Sequence, residues 1–399
     1  MSPHPLSPVL VLGPPRWYSA LGAARSLGGL GIRVFMLRHR GLSPTNVSRF
    51  CAGTLPAGEN GRPTGDPHRI VSELLEAGRA LGRGAILIPA TDEWAVFMAE
   101  HDAELSQLFE FPRPPANLVA AMASKQGLQD LALQHGMPTP RLVVPETVAA
   151  ARLEANRLEY PVMVKPLVSR PDAEGKAVVQ DTEALVAEVC ALAESEDAPN
   201  LILQEFVPAS EDWTFTGYFD AESRCLAGFT GQRLRLLPPH MGHTSLGICR
   251  SNPELQRIAS EFISGIGFCG IVDSEFRYDA RHGTYKIVDA NPRVGGNFRV
   301  FVDVGGTDVV RALYLDLTGR PVPPIQPREG HRWVKEDSDL IAFVKHRRAG
   351  ELDFRTWLGS LRGVREGAIF SARDPLPFAV AMLMLAIDTV AGRWRRSRR

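Results

Sequence analysis

The first part of the chain alternates two hydrophobic periods. PVLVLG, IRVFML and AILIPA are short, unbroken apolar runs closed by turn residues. Between them lie WYSALGAARSLGGLG and the segment 67–81, where apolar positions recur every three or four residues. Unbroken apolar runs read as strands covered on both faces, and the intervening period reads as helix. Strand and helix in alternation predict a parallel, doubly wound sheet. After AILIPA, Thr91 and Asp92 can cap a helix with Trp94, Phe97 and Met98 on one side. The first turn, GPPRWYSALG, lacks GxGxxG. A degenerate Rossmann-like domain over residues 1–112 is therefore expected, rather than a dinucleotide-binding one.

The Pro-rich FPRPPA, residues 111–116, marks a boundary. Ser124 then caps a helix, SKQGLQDLALQHG, that stops at Gly136. RLVVP and YPVMVKP read as short strands around an Ala-rich helix, and LVSRPDAEGK as a turn-rich loop. AVVQ, a helix near 182–194, LILQEFV, WTFTGYFD, CLAGFTGQRLRLL, a helix from Pro253 to Ile266, GFCGIVDSEFRYD and GTYKIVDANPR follow. This half reads as an antiparallel sheet under helices, an α+β arrangement, without an internal repeat. From about His331 the pattern is less regular.

KIVDANPRVGGN, residues 286–297, starts as a strand and ends in a turn. Asp289, Asn291 and Arg293 fall on alternate positions and so on one face. An acid and an amide side by side can share a cation through oxygen. An arginine just beyond can hold an anion. Apart from six lysines, at 125, 165, 176, 286, 335 and 345, the basic residues are arginines. A lysine kept in such a chain marks a position where a compact ammonium is wanted.

SKQGLQDLALQHGMPTP, YPVMVKP, a turn-rich loop, QEFVP, SEF and DANPR occur in that order. This order resembles the ATP-grasp superfamily, the carboxylate–amine or carboxylate–thiol ligases and carboligases, over roughly residues 115–320. The resemblance implies an ATP-grasp domain at 113–325, in two α+β subdomains of about 113–200 and 201–325, and a tail at 326–399. It implies ATP and Mg2+ or Mn2+ as cofactors. Lys125 and Lys165 would contact the α- and β-phosphates. Gln204 and the backbone of Glu205 and Val207, with Phe206 between them, would meet the adenine. Asp212 would accept from the ribose, and the loop 169–176 would close over the phosphates. Glu275, Asp289 and Asn291 would hold the metal, and Arg293 would neutralise the transferred phosphoryl group. The implied reaction activates a carboxylate as an acyl phosphate, releases ADP, and passes the acyl group to an amine or another nucleophile. Alternatives are a non-catalytic nucleotide-binding protein and a dinucleotide-dependent oxidoreductase. Glu275 with Arg277 could equally be a plain ion pair within the sheet. Arg233 and Arg235 share a strand face, with His240, His243 and Arg250 close by, and could grip a substrate carboxylate or simply line a basic hairpin.

Charge and cysteine content narrow the partners. Forty-five basic and 45 acidic residues cancel, which argues against nucleic acid as a general partner. Five scattered cysteines without a CxxC pair argue against a disulfide framework or a cysteine zinc site, and for a reducing compartment. The N-terminus lacks a basic region before its apolar run, so a cytoplasmic protein is expected, with a homodimer as one form. PLPFAVAMLMLAIDTVAG followed by RWRRSRR predicts an amphipathic helix with a basic end. That helix either touches an anionic membrane surface or packs on the ligase core.

Overall fold

The structure is a computed structural model that describes residues 6–14, 18–166, 177–197, 199–208, 211–240 and 242–396, with the side chains of 388–396 left out. The chain divides into two compact units. The larger comprises 1–123, 213–274 and 290–399, and the smaller 124–212 and 275–289. This division differs from the boundaries expected from sequence. The N-terminal domain, the long central strands and the tail fall in one unit.

In the larger unit, five parallel strands run in the order Cys51–Leu55, Val34–Leu37, Val9–Leu12, Ala85–Pro89, Phe109–Glu110. Alternation along them sorts the core into two layers. Val9, Val11, Val34, Met36, Ile86 and Ile88 pack with the Tyr18–Gly28 helix. Leu10, Leu12, Leu37, Ala85 and Leu87 pack with Pro67–Leu81 and Asp92–Glu100. Both faces are dry, as the apolar runs required. Asp66 accepts from His68 N–H and Thr91 from Trp94 N–H, which caps those two helices.

A seven-stranded sheet has the order Thr284–Asn291, Gly270–Asp279, Asp212–Phe219, Cys225–Leu237, His243–Cys249, Arg332–Val334, Val364–Gly367. The last two strands, with helices Glu336–Arg348 and Phe354–Ser360, come from the tail. The tail is thus part of the sheet and not an irregular extension. The Leu376–Arg396 helix packs Phe378 and Ala381 onto the core of this unit and leaves Leu383, Leu385 and Ile387 exposed. No helix among the described residues is long and apolar enough to cross a membrane.

The smaller unit has an antiparallel sheet in the order Leu142–Val143, Leu201–Glu205, Val162–Pro166, Ala177–Val179. Register pairs Met163 with Gln204 and Lys165 with Ile202 on one face, and Val164 with Leu203 on the other. Val162, Val164, Leu201 and Leu203 are buried under helices Val148–Ala155 and Thr182–Leu192. Lys165 and Gln204 therefore stand on the face opposite that core.

Candidate nucleotide site

Within the smaller unit, most residues expected to meet a nucleotide occur together. Ser124 Oγ accepts from Gly127 N–H and starts the helix whose first residue is Lys125. Lys125 Nζ donates to the Asp289 carboxylate and lies 3.4 Å from the Val288 carbonyl oxygen. Lys165 Nζ donates to Gln204 Oε1 at 2.9 Å. Each ammonium suits an oxyanion that carries more charge than the carboxylate or amide now beside it.

The Glu205–Val207 strap is held from both sides. The Glu205 carboxylate accepts from the N–H groups of Arg141 and Glu159 at 3.0 and 2.9 Å. Phe206 N–H donates to the Pro161 carbonyl at 2.7 Å. Arg277 organises the far end. Its guanidinium lies over the Phe206 ring at 4.9 Å, donates to the Val207 carbonyl at 3.1 Å, and pairs with Asp212 through Nε at 2.9 Å. Arg277 is thus paired with Asp212. Sequence reading gave Arg277 no site role. Its one signal was an arginine two places beyond Glu275 on the same strand.

Glu275 and Asp289 are both half-buried, on the two strands joined by the 280–283 turn. Asp279 fixes that turn. It accepts from Arg281 Nε at 2.9 Å, His282 Nδ1 at 3.0 Å and Lys286 Nζ at 3.0 Å. The charged hydrogen bonds from Arg281, His282 and Lys286 outweigh burial and hold the Asp279 carboxyl far below the usual carboxylate range. The loop 169–176, expected to close over phosphates, lies outside the described residues.

The strand that carries Asp289 continues into Asn291, which belongs to the larger unit. Asn291 Nδ2 donates to the Asp273 carbonyl at 3.1 Å. Carboxylates such as Glu275 and Asp289, like an amide oxygen, are hard donors of the kind magnesium takes. Arg293 is bracketed by Asp92 at 3.3 Å and Asp273 at 3.3 Å, with its side chain 13% exposed. The following turn needs glycine. A Cβ on Gly295 would lie 2.4 Å from the Asp273 carboxylate, and one on Gly296 2.6 Å from the Tyr18 ring.

Of the arginine pair expected to grip a substrate, the structure alters one half. Arg235 is buried; its Nη1 donates to both Asp339 oxygens at 2.5 and 2.7 Å and its Nη2 to Ser360 Oγ, and Asp339 also accepts from Ser245 Oγ and Trp357 Nε1. A guanidinium so matched has no fork left for a substrate. Register irregularities on either side of Arg235 break the simple alternation that put both arginines on one face. Arg233 donates to Thr244 Oγ1 at 2.9 Å and to the Gly242 carbonyl. Around it, within the larger unit, lie groups sequence reading did not assign. Lys335 Nζ sits 5.1 Å over the Tyr18 ring and 3.1 Å from Asp337. Burial pushes the Tyr18 hydroxyl up to about 12, with Arg293 pulling the other way. Burial of its ring, then the Lys335 charge, lowers His243 to about 4, so its imidazole is neutral near pH 7.

A parallel five-stranded domain, an antiparallel sheet that carries Lys165, and a strand pair carrying Glu275, Asp289 and Asn291 give the chain a mixed α/β fold like that of ATP-grasp enzymes. Among curated proteins it is similar to D-aspartate ligase of Enterococcus faecium, with 23% identity over 245 residues, and the match covers 58% of each chain. It is also similar to a formate-dependent phosphoribosylglycinamide formyltransferase of Anaeromyxobacter dehalogenans, with 26% identity over 53% of this chain and 56% of the relative. The chain thus spans less than two thirds of the curated relatives it matches. Among solved structures, the biotin carboxylase domain dimer of Hydrogenobacter thermophilus 2-oxoglutarate carboxylase with MgADP, ADP and bicarbonate superposes with a TM-score of 0.62. Identity is 17%, covering 82% of this chain and 74% of that one. The L-amino acid ligase of Bacillus licheniformis gives 0.57 at 15% identity, covering 80% and 75%. No family model matches the chain.

Proposed function

We propose that the protein is an ATP-dependent ligase that activates a small carboxylic acid as an acyl phosphate, with release of ADP, for attack by an amine or a similar nucleophile. One observation supports this most. Residues 124–212 and 275–289, far apart in sequence, fold as one unit that contains Lys125, Lys165, Gln204, the Glu205–Val207 strap, Asp212, Glu275 and Asp289. In this reading Lys125 and Lys165 hold the α- and β-phosphates, and the strap and Asp212 hold the nucleoside. Glu275, Asp289 and Asn291 hold Mg2+, which when bound screens the phosphate oxygens from the incoming carboxylate. Lys125 neutralises Asp289 until phosphate draws the ammonium away. Arg293 offsets charge on the transferred phosphoryl group. Arg233, with Lys335 and neutral His243, supplies the cationic wall for the acid. The names of the relatives agree with a carboxylate–amine ligase, since one joins D-aspartate and another L-amino acids. Two finer readings stay with this proposal. A second copy of the chain as partner draws on the dimeric carboxylase neighbour and is tested by sedimentation equilibrium. An anionic membrane surface against the exposed Leu383, Leu385 and Ile387 is tested by co-sedimentation with anionic vesicles, and equal recovery with neutral vesicles removes it. The central test incubates the protein with ATP and Mg2+ over panels of amino acids and small carboxylic acids and separates ADP from AMP. Carboxylate-dependent ADP is expected, and AMP release or no turnover with any acid overturns the reading.

A further inference from the structure

We propose that His240, His346 and Glu351 form a second metal site, for a divalent ion of the zinc class, separate from the magnesium–nucleotide residues. All three lie in the larger unit. His240 is in the connection between strands Cys225–Leu237 and His243–Cys249. His346 is in the last turn of helix Glu336–Arg348, and Glu351 is just past its end, where its N–H donates back to the His346 carbonyl at 2.9 Å. His346 Nδ1 is 2.7 Å from one Glu351 oxygen, and His240 Nε2 is 3.1 and 3.2 Å from the two. The rings meet edge to face with centroids 5.7 Å apart. Their ligand atoms all lie within 4.8 Å of one another, the one such group of His, Cys and acidic residues among those described.

The chemistry selects the ion. Two imidazoles and a carboxylate suit zinc, nickel, cobalt or copper, whereas magnesium prefers oxygen alone. Bonds of about 2.0–2.1 Å in a tetrahedral site put ligand atoms roughly 3.3 Å apart. The imidazole–carboxylate distances are already close to that, so side-chain rotation to bring the two nitrogens together is what binding requires. Three protein ligands leave a position for water.

Two further observations point the same way. His240 has φ of +64°, a left-handed backbone that glycine or asparagine adopts with less strain. A histidine held there suggests a demand for its side chain. The two arms are also fixed without metal. Arg235 pairs with Asp339, and His243 Nε2 is 3.1 Å from Ser338 Oγ, so the hairpin is already tied to the same helix. His346 Nε2 is buried with no hydrogen-bond partner among the described residues, so nothing braces the ring from behind. Affinity below that of closed structural zinc sites is therefore expected.

The test uses the full chain stripped of metal. Zn2+ is titrated by calorimetry in excess Mg2+ without nucleotide, and Co2+ is followed by its visible d–d absorption. A single saturable site, indifferent to Mg2+, is expected. His240→Gly relaxes the left-handed backbone, so this variant should fold with a metal-free thermal midpoint equal to or above that of the parent. It should lose at least tenfold in Zn2+ affinity and most of the Zn2+-dependent rise in midpoint. Cys190→Ser removes an exposed thiol and should leave binding unchanged. Three results overturn the site: no saturable Zn2+ binding by the parent, equal binding by His240→Gly, or loss of binding in Cys190→Ser. Because no ATP is present, failure here leaves the ligase reading standing.

Discussion

Replacing Arg277 by methionine keeps an unbranched side chain of similar reach and removes the guanidinium. Arg277 is 8% exposed, and its pair with Asp212 buries both side chains, at 10% and 12% exposure. Removing one partner of such a pair leaves the other charge uncompensated, which costs about 3–5 kcal/mol. The lost charged bond to the Val207 carbonyl, about 1.5–3 kcal/mol alone, and the contact over Phe206 overlap with this figure and do not add to it. A domain is stable by about 5–15 kcal/mol in total, so the smaller unit should unfold at clearly lower urea. Asp212→Asn added to Arg277→Met removes the stranded charge and should recover part of the loss. The link to function is the strap. Without Arg277, Phe206 and Val207 lose their ring brace and their carbonyl donor. If the strap binds adenine through its backbone, ATP affinity should fall ten- to a hundredfold, or about 1.4–2.8 kcal/mol. Urea unfolding and ATP calorimetry under conditions where the variant is folded read the two effects separately. Parent-like ATP affinity in a folded but destabilised variant would show that Arg277 serves stability alone and that the adenine lies elsewhere.

Lys165→Ala should weaken ATP binding at least tenfold with little effect on folding, because a charge-assisted phosphate contact is worth about 1.5–3 kcal/mol; unchanged affinity by calorimetry refutes the assignment. Glu275→Gln and Asp289→Asn should each remove Mg2+- or Mn2+-dependent ADP release, and near-normal turnover at saturating metal and ATP in either variant removes that carboxylate from the ligand set. Asp279 has a folded-state pKa below its unfolded value, so its contribution is present above the ordinary carboxylate pKa of about 3.9 and is lost as pH falls below it. Asp279→Asn should lower stability at neutral pH and flatten the acid limb of the stability profile in urea unfolding across pH, and a parallel acid limb in the variant would contradict this.

Much of the fold was legible because burial writes period into sequence. The strand at Cys225–Leu237 and the helix start at Pro67 fall where the pattern put them. The strands that escaped notice lack that imprint. Cys51–Leu55 is only half-buried, at the edge of its sheet. His243–Cys249 is buried over most of its length, yet Thr244, Ser245 and Gly247 interrupt its apolar run. Arg332–Val334 and Val364–Gly367 are three and four residues long and carry charge, so their strand character comes from the neighbours they pair with. Lys125, Lys165, Gln204 and Asp212, expected from sequence to meet a nucleotide, lie at or next to the ends of regular elements, where local pattern and position coincide.

Ion-pair partnership is where local reading fails, and the two arginines misjudged from sequence show why. Alternation on a strand, broken beside Arg235 by register shifts, does not say which acid meets Arg235 or Arg277. Asp339 is 104 positions from Arg235, and Asp212 is 65 from Arg277. A buried guanidinium needs a carboxylate, and any segment that folds against it can supply one. For Arg235 the acid came from the tail, which makes the tail a condition for the hairpin that also carries Arg233. Lys335, another tail residue, lies over Tyr18 from the N-terminal domain. The cationic wall proposed for the acid substrate is therefore assembled from segments near residues 18, 233 and 335, each unremarkable by its own pattern. Nucleotide binding can be read from motifs because a phosphate chain asks for the same few groups wherever it binds. On the proposed function the acid would be set by side chains brought together only by the fold, so specificity should change with substitutions at Arg233, Lys335 and Tyr18 while ATP affinity does not.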